Sequence, residues 1–438
     1  MRHTVFEFSL KNGSKGLLVH IPGASVMTFD FNFRAGEYLV KRDKWEAPHL
    51  MEHILLGANE LFPRARDFQA ELEKNGAYAN ASTGSYDINY EAECADFEWD
   101  RIIGLLIVAI TQPLFLQSEF EAEFGNVREE LTARSNNHFR HLSLSLREKY
   151  GFEVMTDHER LLKMDNVILE DIQKHYKSTH TSDNFRFVIG GNLTQSRRKS
   201  IKQLLENLAL PKGEGRRPLP DEKLKTLKKP LYIHNDTVEN LYFYTDTFMR
   251  RRMMDSEVDA LSLANIILTE TLHSRIFGTA RERGLVYGMS SNYGQASSNS
   301  NWWFGAQVMP KNASALVDIM IKEIKALRAG KLATSDFEAA KQYALGRYQR
   351  SAQTVGGTAG GYAGRFFFDE AIEDYYKVPE RIEAVTKEKL INVTNALFEE
   401  RLGGFGVLGS CGDKFTKDIN KQLKQLWNPN VSSDSTYL

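Results

Sequence analysis

Apolar and polar residues alternate from the first positions of the chain. Met1 to Phe8 reads as a strand, and Val26 to Phe33, rich in β-formers, reads as another. Residues 85–93 alternate in the same way and predict a third. Between the last two the pattern turns helical. One helix is predicted from near Pro48 to near Gly57, with proline close to the first turn and glycine at the stop. A second covers Ala65 to Asn75, with Gly76 following. Beyond the third strand, a long helix is predicted from about Ser118 to Leu146.

Two stretches repeat one pattern. Phe187-Val188-Ile189-Gly190-Gly191 is an apolar strand ending in glycine, and Gly406-Val407-Leu408-Gly409-Ser410 is the same. Gly190 and Gly409 stand 219 positions apart, half of the 438-residue chain, and Ile172 and Ile391, in the helix-like segments ahead of the strands, share that spacing. The pattern points to a duplicated domain. Between the copies, Pro211 to Pro230 holds four prolines with many charged and few apolar residues, the composition of an exposed linker. The expected organisation is two α+β domains of similar size, residues 1–210 and 231–438, joined by a linker at 211–230. The polar tail from Asn428 to Leu438 is expected to be loose.

With 42% hydrophobic and 26% charged residues, these elements can close full-sized cores, and disorder, collagen-like structure and a disulfide-built scaffold are excluded. The net charge of −1 gives no global field toward nucleic acid or an anionic membrane, and neither is expected as a partner. The two cysteines, Cys94 and Cys411, are too few for a disulfide framework and read as small buried hydrophobes. The longest apolar run, around Ile102 to Ile110, falls far short of the ~20 residues that span a bilayer, and the first residues lack a signal-peptide core. The expectation is a cytoplasmic protein.

The candidate chemistry concentrates in His49-Leu50-Met51-Glu52-His53. On a helix, positions four apart share a face, so His49 and His53 present both imidazoles to one ion, with Glu52 flanking it. This is the H-x-x-E-H inversion of the zincin motif. A catalytic zinc takes three protein ligands and keeps a fourth position open, so another element must supply a third ligand. Such a pentapeptide arises by chance in roughly one chain in twenty of this length, so its weight depends on the residues that accompany it. Elsewhere, His138 and His141 read as a solvated helix face, and the glycine-rich run Thr354 to Gly364 as close helix packing or a flexible segment. Arg250-Arg251-Arg252 reads as a solvated turn, and Trp302-Trp303 as strand core or interface.

Taken with its surroundings, the motif resembles that of the pitrilysin-type (inverzincin) zinc metallopeptidases, the family that includes insulin-degrading enzyme and the mitochondrial processing peptidase. In that family a ligand Glu follows H-x-x-E-H after about 76 residues, and here 76 residues separate His53 from Glu130. A second family Glu lies seven positions earlier, where Glu123 stands, and the intervening Val127 also fits. Glu129 is adjacent but points about 100° away on a helix, so the register favours Glu130. Leu10-Lys11-Asn12-Gly13 resembles the family's opening strand and turn, and Arg34-Ala35-Gly36 the strand end before the metal helix. Gly76, Asn80-Ala81, Thr83 and Asn89-Tyr90 resemble its edge strand. Ser274 to Phe277 and Arg281 to Tyr287 resemble its Arg/Tyr element. Two departures stand out. The family usually places that Arg seven residues before the Tyr, and Ala280 occupies the position here, with Arg281 one step closer. The glycine-rich loop of the non-catalytic processing-peptidase subunit is absent, and Thr269-Glu270-Thr271-Leu272 stands in its place.

The resemblance implies an α+β fold of two homologous domains, each an antiparallel-rich sheet with helices packed on one face, in a clamshell arrangement and a half-length, two-domain form. It implies one Zn2+ per chain held by His49, His53 and Glu130, with Glu52 as general base and Glu123 orienting a ligand histidine. Asn80, Ala81 and Thr83 would hold an extended peptide by strand addition. Tyr287 would donate to the oxyanion, with Arg281 assisting or holding substrate. The implied activity is a zinc endopeptidase of unfolded oligopeptides, paired as a homodimer or with a related chain. The alternative is a non-catalytic binding subunit, which the complete His49/Glu52/His53/Glu130 set disfavours.

Overall fold

The computed structural model describes residues 1–373 and 375–427, and the tail expected to be loose lies outside them. The chain forms two compact units, each built on one largely antiparallel sheet. The first sheet contains β1 (Thr4–Ser9), β2 (Lys15–His20), β3 (Val26–Phe33), β4 (Tyr78–Thr83), β5 (Ile88–Ala95) and β6 (Phe185–Gly191), in the spatial order β1-β2-β6-β3-β5-β4. The second contains β7 (Leu231–His234), β8 (Leu241–Met249), β9 (Met289–Gln295), β10 (Ser300–Val308) and β11 (Leu402–Gly409), in the order β7-β11-β8-β10-β9. The parallel pairs are β2 with β6 and β7 with β11. The two strands of the repeated glycine pattern, β6 and β11, therefore hold the same place in their sheets.

Alternation in β3 puts Met27, Phe29, Phe31 and Phe33 on one buried face. That face shares a core with Leu50, Ile54, Ile103, Leu106 and Ile172 from three helices, Ala47–Leu55, Trp99–Thr111 and Leu169–Thr179. β5 begins three residues later than the alternation predicted, because Ser85 and Tyr86 form a bend after β4. The helix expected from Ser118 to Leu146 is two helices, Gln117–Ser135 and His138–Tyr150. The break falls at Asn136-Asn137, where the Asn137 side chain accepts the Arg140 backbone N–H at 2.9 Å and caps the new helix.

Helices on one face of each sheet were expected, but both faces are covered. The second face of the first sheet carries the helix Val355–Asp369, which is the glycine-rich run. A Cβ at Gly190 of β6 would lie 2.8 Å from the Ala359 Cβ, so the strand must be bare at that point for the helix to approach. In the second sheet the helix His138–Tyr150 does the same, packing Leu142, Leu146 and Tyr150 over β8 and β11. A Cβ at Gly406 would lie 2.8 Å from Leu146. Each half of the chain thus lends a helix to the unit built on the other half's sheet. The units are Met1–Arg134 with Asp157–Leu219 and Gln349–Tyr376, and Ser135–Thr156 with Pro220–Tyr348 and the chain from Lys377. They are not the uninterrupted halves 1–210 and 231–438. The physical reason is that a sheet has two apolar faces, and the helices adjacent in sequence cover only one of them.

Residues 211–230 contain no helix or strand, yet they are tied down at both ends. Arg216 is almost buried, and it donates to the Asn184 carbonyl at 2.9 Å and the Phe367 carbonyl at 2.7 Å. Arg34 donates to the Phe368 carbonyl at 2.7 Å and to the Arg217 carbonyl at 2.8 Å. Two guanidinium groups thereby satisfy the last carbonyls of the glycine-rich helix. In the second unit, Glu222 is buried and accepts the Glu153 backbone N–H at 3.1 Å. Among the described residues no helix is long and apolar enough to cross a membrane.

Two expectations follow from this packing. A fragment ending at residue 210 lacks the helix Val355–Asp369 and leaves one face of the first sheet bare. It is expected to bind a hydrophobic dye and aggregate where the full chain does neither, and a soluble, native-like fragment would contradict the assignment. The second concerns Asp246, fully buried on the β8 face that His138–Tyr150 covers. Burial pushes its pKa up to about 7, although Asn301 donates to it at 2.8 Å. In the unfolded chain the same carboxyl ionises near pH 4, so stability falls as pH rises between about 4 and 7. Asp246→Asn is expected to raise the melting temperature at pH 8 and to lose that advantage by about pH 4, as read from thermal scans across the range.

Candidate metal centre

The helix Ala47–Leu55 carries Pro48 in its first turn and buries Leu50, Met51, Ile54 and Leu55 in the core. That packing sets its rotation. His49 and His53 fall one turn apart on one side, with ring centroids 5.0 Å apart. The helix Gln117–Ser135 buries only Phe120, Val127 and Leu131, a narrow seam that leaves Glu123 and Glu130 beside it. Glu130 Oε2 lies 3.4 Å from His49 Nε2 and 3.7 Å from His53 Nε2. Glu129, one position back, is exposed to solvent. His49, His53 and Glu130 form the one group among the described residues whose ligand atoms converge, all within 4.8 Å of one another.

The three residues fit a zinc ion. Two imidazole nitrogens and a carboxylate oxygen match a catalytic zinc donor set. Tetrahedral ligands at about 2.0–2.2 Å from a metal stand about 3.3–3.6 Å from each other, close to the two His-to-Glu130 separations.

Each member of the set is held from behind. Glu123 Oε2 lies 2.9 Å from His53 Nδ1, and Glu46 Oε2 lies 3.1 Å from His49 Nδ1. Arg134 Nη1 donates to Glu130 Oε1 at 2.8 Å. Arg160 holds Glu46 in turn, with Nε to Oε1 at 2.5 Å and Nη2 to Oε2 at 2.9 Å. The sequence reading named Glu123 but neither Glu46, Arg134 nor Arg160. Glu46 lies three residues before His49, and asking what holds the second nitrogen of each imidazole would have found it. Arg160 lies 114 residues from Glu46, and no local pattern links them.

The electrostatics show a surplus of negative charge. Burial opposes protonation of His53, but Glu123 and Glu130 outweigh it and raise its pKa to about 9. Hydrogen bonds from His49 and His53 hold Glu130 far below the usual carboxylate range. Glu52 is 8% exposed, and its Oε2 accepts from the Thr83 hydroxyl at 2.5 Å. Thr83 ends β4, which lies at the edge of its sheet and pairs there with β5. Asn80 is exposed on that strand and Ala81 is buried. Asn80 to Thr83 and the metal set line one cleft of about 530 Å³.

Comparison with known families places this geometry. The model described as insulinase (peptidase family M16) matches residues 43–157, and the model of the peptidase M16 inactive domain matches residues 166–343. Together they take in more than half of the chain. The chain belongs to peptidase family M16. Among solved structures it is similar to a protease from Helicobacter pylori, with a TM-score of 0.80 at 17% identity, covering 93% of this chain and 100% of that one. It is also similar to a peptidase M16 inactive domain from Pseudomonas fluorescens, with a TM-score of 0.79 at 15% identity, covering 93% and 98%. At these identities the likeness is one of fold. A search of curated proteins finds no match.

In this M16 chain the insulinase match contains His49, Glu52, His53, Glu123 and Glu130, and the inactive-domain match contains none of them. The Arg/Tyr element belongs to the second unit. Ala280, where the arginine was expected, is fully buried in the helix Phe277–Glu282. Arg281 is exposed. It donates to the Tyr287 carbonyl, and its guanidinium lies 4.8 Å from the Tyr287 ring centroid. The shorter spacing therefore still brings arginine onto tyrosine, and Tyr287 itself is 88% exposed.

Glu130→Gln is expected to weaken zinc binding by more than about tenfold, and Glu129→Gln to leave it unchanged, in competition with a chromophoric chelator. Equal affinities in the two variants would put the third ligand elsewhere.

Proposed function

We propose that this chain is a zinc-dependent endopeptidase that hydrolyses peptide bonds in unfolded oligopeptides. The observation that carries the reading is the convergence of His49, His53 and Glu130 beside the buried carboxylate of Glu52, in one cleft with an edge strand. One Zn2+ per chain would be held by His49, His53 and Glu130, and when bound it supplies a Lewis acid that polarises a carbonyl and acidifies water. Glu52, held through one oxygen by Thr83, takes a proton from the attacking water and returns it to the leaving amine. The main chain at Asn80 to Thr83 holds the substrate in extended form, largely independent of its side chains. Tyr287 is the proposed donor to the oxyanion, with Arg281 packed against its ring. The proposed partners are the peptide and a second chain, either another copy or a related one, and the proposed location is the cytoplasm.

The competing reading is a non-catalytic binding subunit, and the likeness to the Pseudomonas fluorescens inactive domain favours it. Hydrolysis of a quenched oligopeptide by the zinc-loaded chain separates the two. The wild type is expected to cleave it. Glu52→Gln is expected to keep its zinc and lose about 10²–10⁴ in kcat. Tyr287→Phe is expected to lower turnover with zinc content intact. A wild type that binds zinc and peptide without cleavage would favour the binding subunit, and near wild-type turnover in Glu52→Gln would remove it as the base.

A further inference from the structure

Glu46 is 1% exposed and Arg160 5%, and they form a two-point ion pair directly behind His49. Burying such a pair carries a desolvation cost that packed apolar side chains avoid, so stability alone does not account for it. Nor does Arg160 need Glu46 as its counter-charge. It lies 3.0 Å from Glu37 Oε1 and 4.0 Å from Asp157 Oδ1, and both acids are buried. Three carboxylates around one guanidinium leave negative charge in excess, and Glu46 presents its share to the His49 ring at 3.1 Å.

We propose that Glu46, clamped by Arg160, is a positioning residue that sets the tautomer and rotation of His49 and raises its affinity for a divalent cation. The proposal rests on the reading of His49, His53 and Glu130 as zinc ligands. With Nδ1–H donated to Glu46, His49 would offer Nε2 to the ion as its ligand nitrogen, on the side of Glu130 Oε2, 3.4 Å away. Both Glu46 oxygens are engaged by Arg160, so the carboxylate cannot rotate and the ring it holds cannot flip. Glu46 also sits at the N-cap position of the motif helix, where its carbonyl accepts the Leu50 backbone N–H at 2.9 Å. Both ligand imidazoles are then backed by carboxylates, His53 by Glu123 and His49 by Glu46.

The test is zinc affinity by chelator competition on the full chain, with the Co2+ absorption spectrum as a report on ligand geometry. In Glu46→Gln, Arg160 retains Glu37 and Asp157, so the metal-free variant is expected to melt within a few degrees of the wild type. Its zinc affinity is expected to fall about 10–100-fold with a shifted Co2+ spectrum, and Glu46→Asp to recover part of the loss. A merely structural Glu46 would lower the melting temperature and leave affinity and spectrum unchanged in the folded fraction. Zinc affinity in Glu46→Gln within twofold of the wild type, while His49→Ala loses zinc, overturns the proposal and leaves the zinc reading intact. A wild type that binds no zinc overturns the zinc reading itself and the proposal with it. Should Glu46→Gln fail to fold, the zinc-loaded wild type labelled with 15N-histidine decides. Two slowly exchanging Nδ1–H signals, of which Glu123→Gln perturbs one, support the proposal, and a single such signal lost in Glu123→Gln overturns it.

Discussion

The candidate site in the first unit depends on the attraction between two imidazoles and the carboxylates gathered around them. Glu46, Glu123 and Glu130 all lie within 3.7 Å of a nitrogen of His49 or His53, and Glu52 is on the same helix. Carboxylates this close repel one another, and burial weakens the screening that water would provide. The cluster stands because its carboxylates are met by specific donors: Arg160 at Glu46, Arg134 at Glu130, the Thr83 hydroxyl at Glu52. What remains is negative charge in excess, aimed at the point where the ligand atoms converge. The apolar packing of Leu50, Ile54, Val127 and Leu131 serves this arrangement by setting the rotation of the two helices that carry it.

The second unit treats its polar interior differently. Asn265 Oδ1 accepts from Trp302 Nε1 at 2.8 Å and from the Ser291 hydroxyl at 2.7 Å, and its amide donates to Glu270 at 2.9 Å. Glu270 is paired with Arg347. In that network the one carboxylate is met by an arginine. The two sheets thus differ electrostatically at this layer, one collecting several carboxylates around two imidazoles and the other pairing Glu270 with Arg347. Their backbones diverge far less. The strand orders correspond, and each sheet is finished by a helix that comes from the other half of the sequence. Gly190 and Gly406 mark where that helix comes close, and they are not equivalent positions of the repeat, which pairs Gly190 with Gly409.

Features governed by near neighbours were legible in the sequence. The four-residue spacing of His49 and His53 sets both on one side of a helix. The helical period separates Glu130 from Glu129, and the structure leaves Glu129 in solvent. Alternation placed β3 at Val26–Phe33, and the glycine pattern located β6 and β11. Contacts that join distant residues left no such mark. The break at Asn136-Asn137 was hidden because the amphipathic pattern continues across it, and only the capping side chain shows where one helix ends and the next begins. The composition of 211–230 predicted an exposed linker and gave no sign that Arg216 would be almost buried within it.

By itself, then, the sequence determined many of the secondary elements and the one-turn spacing of His49 and His53, because these follow from backbone periodicity over a few turns. The tertiary structure alone decided which helix covers which sheet, which arginine clamps Glu46 and which hydroxyl holds Glu52. Glu46 and Arg160 are 114 residues apart, and Glu52 and Thr83 are 31 apart. Their meeting depends on how whole elements pack, and that is set by apolar burial across the fold, to which the residues of the site contribute little.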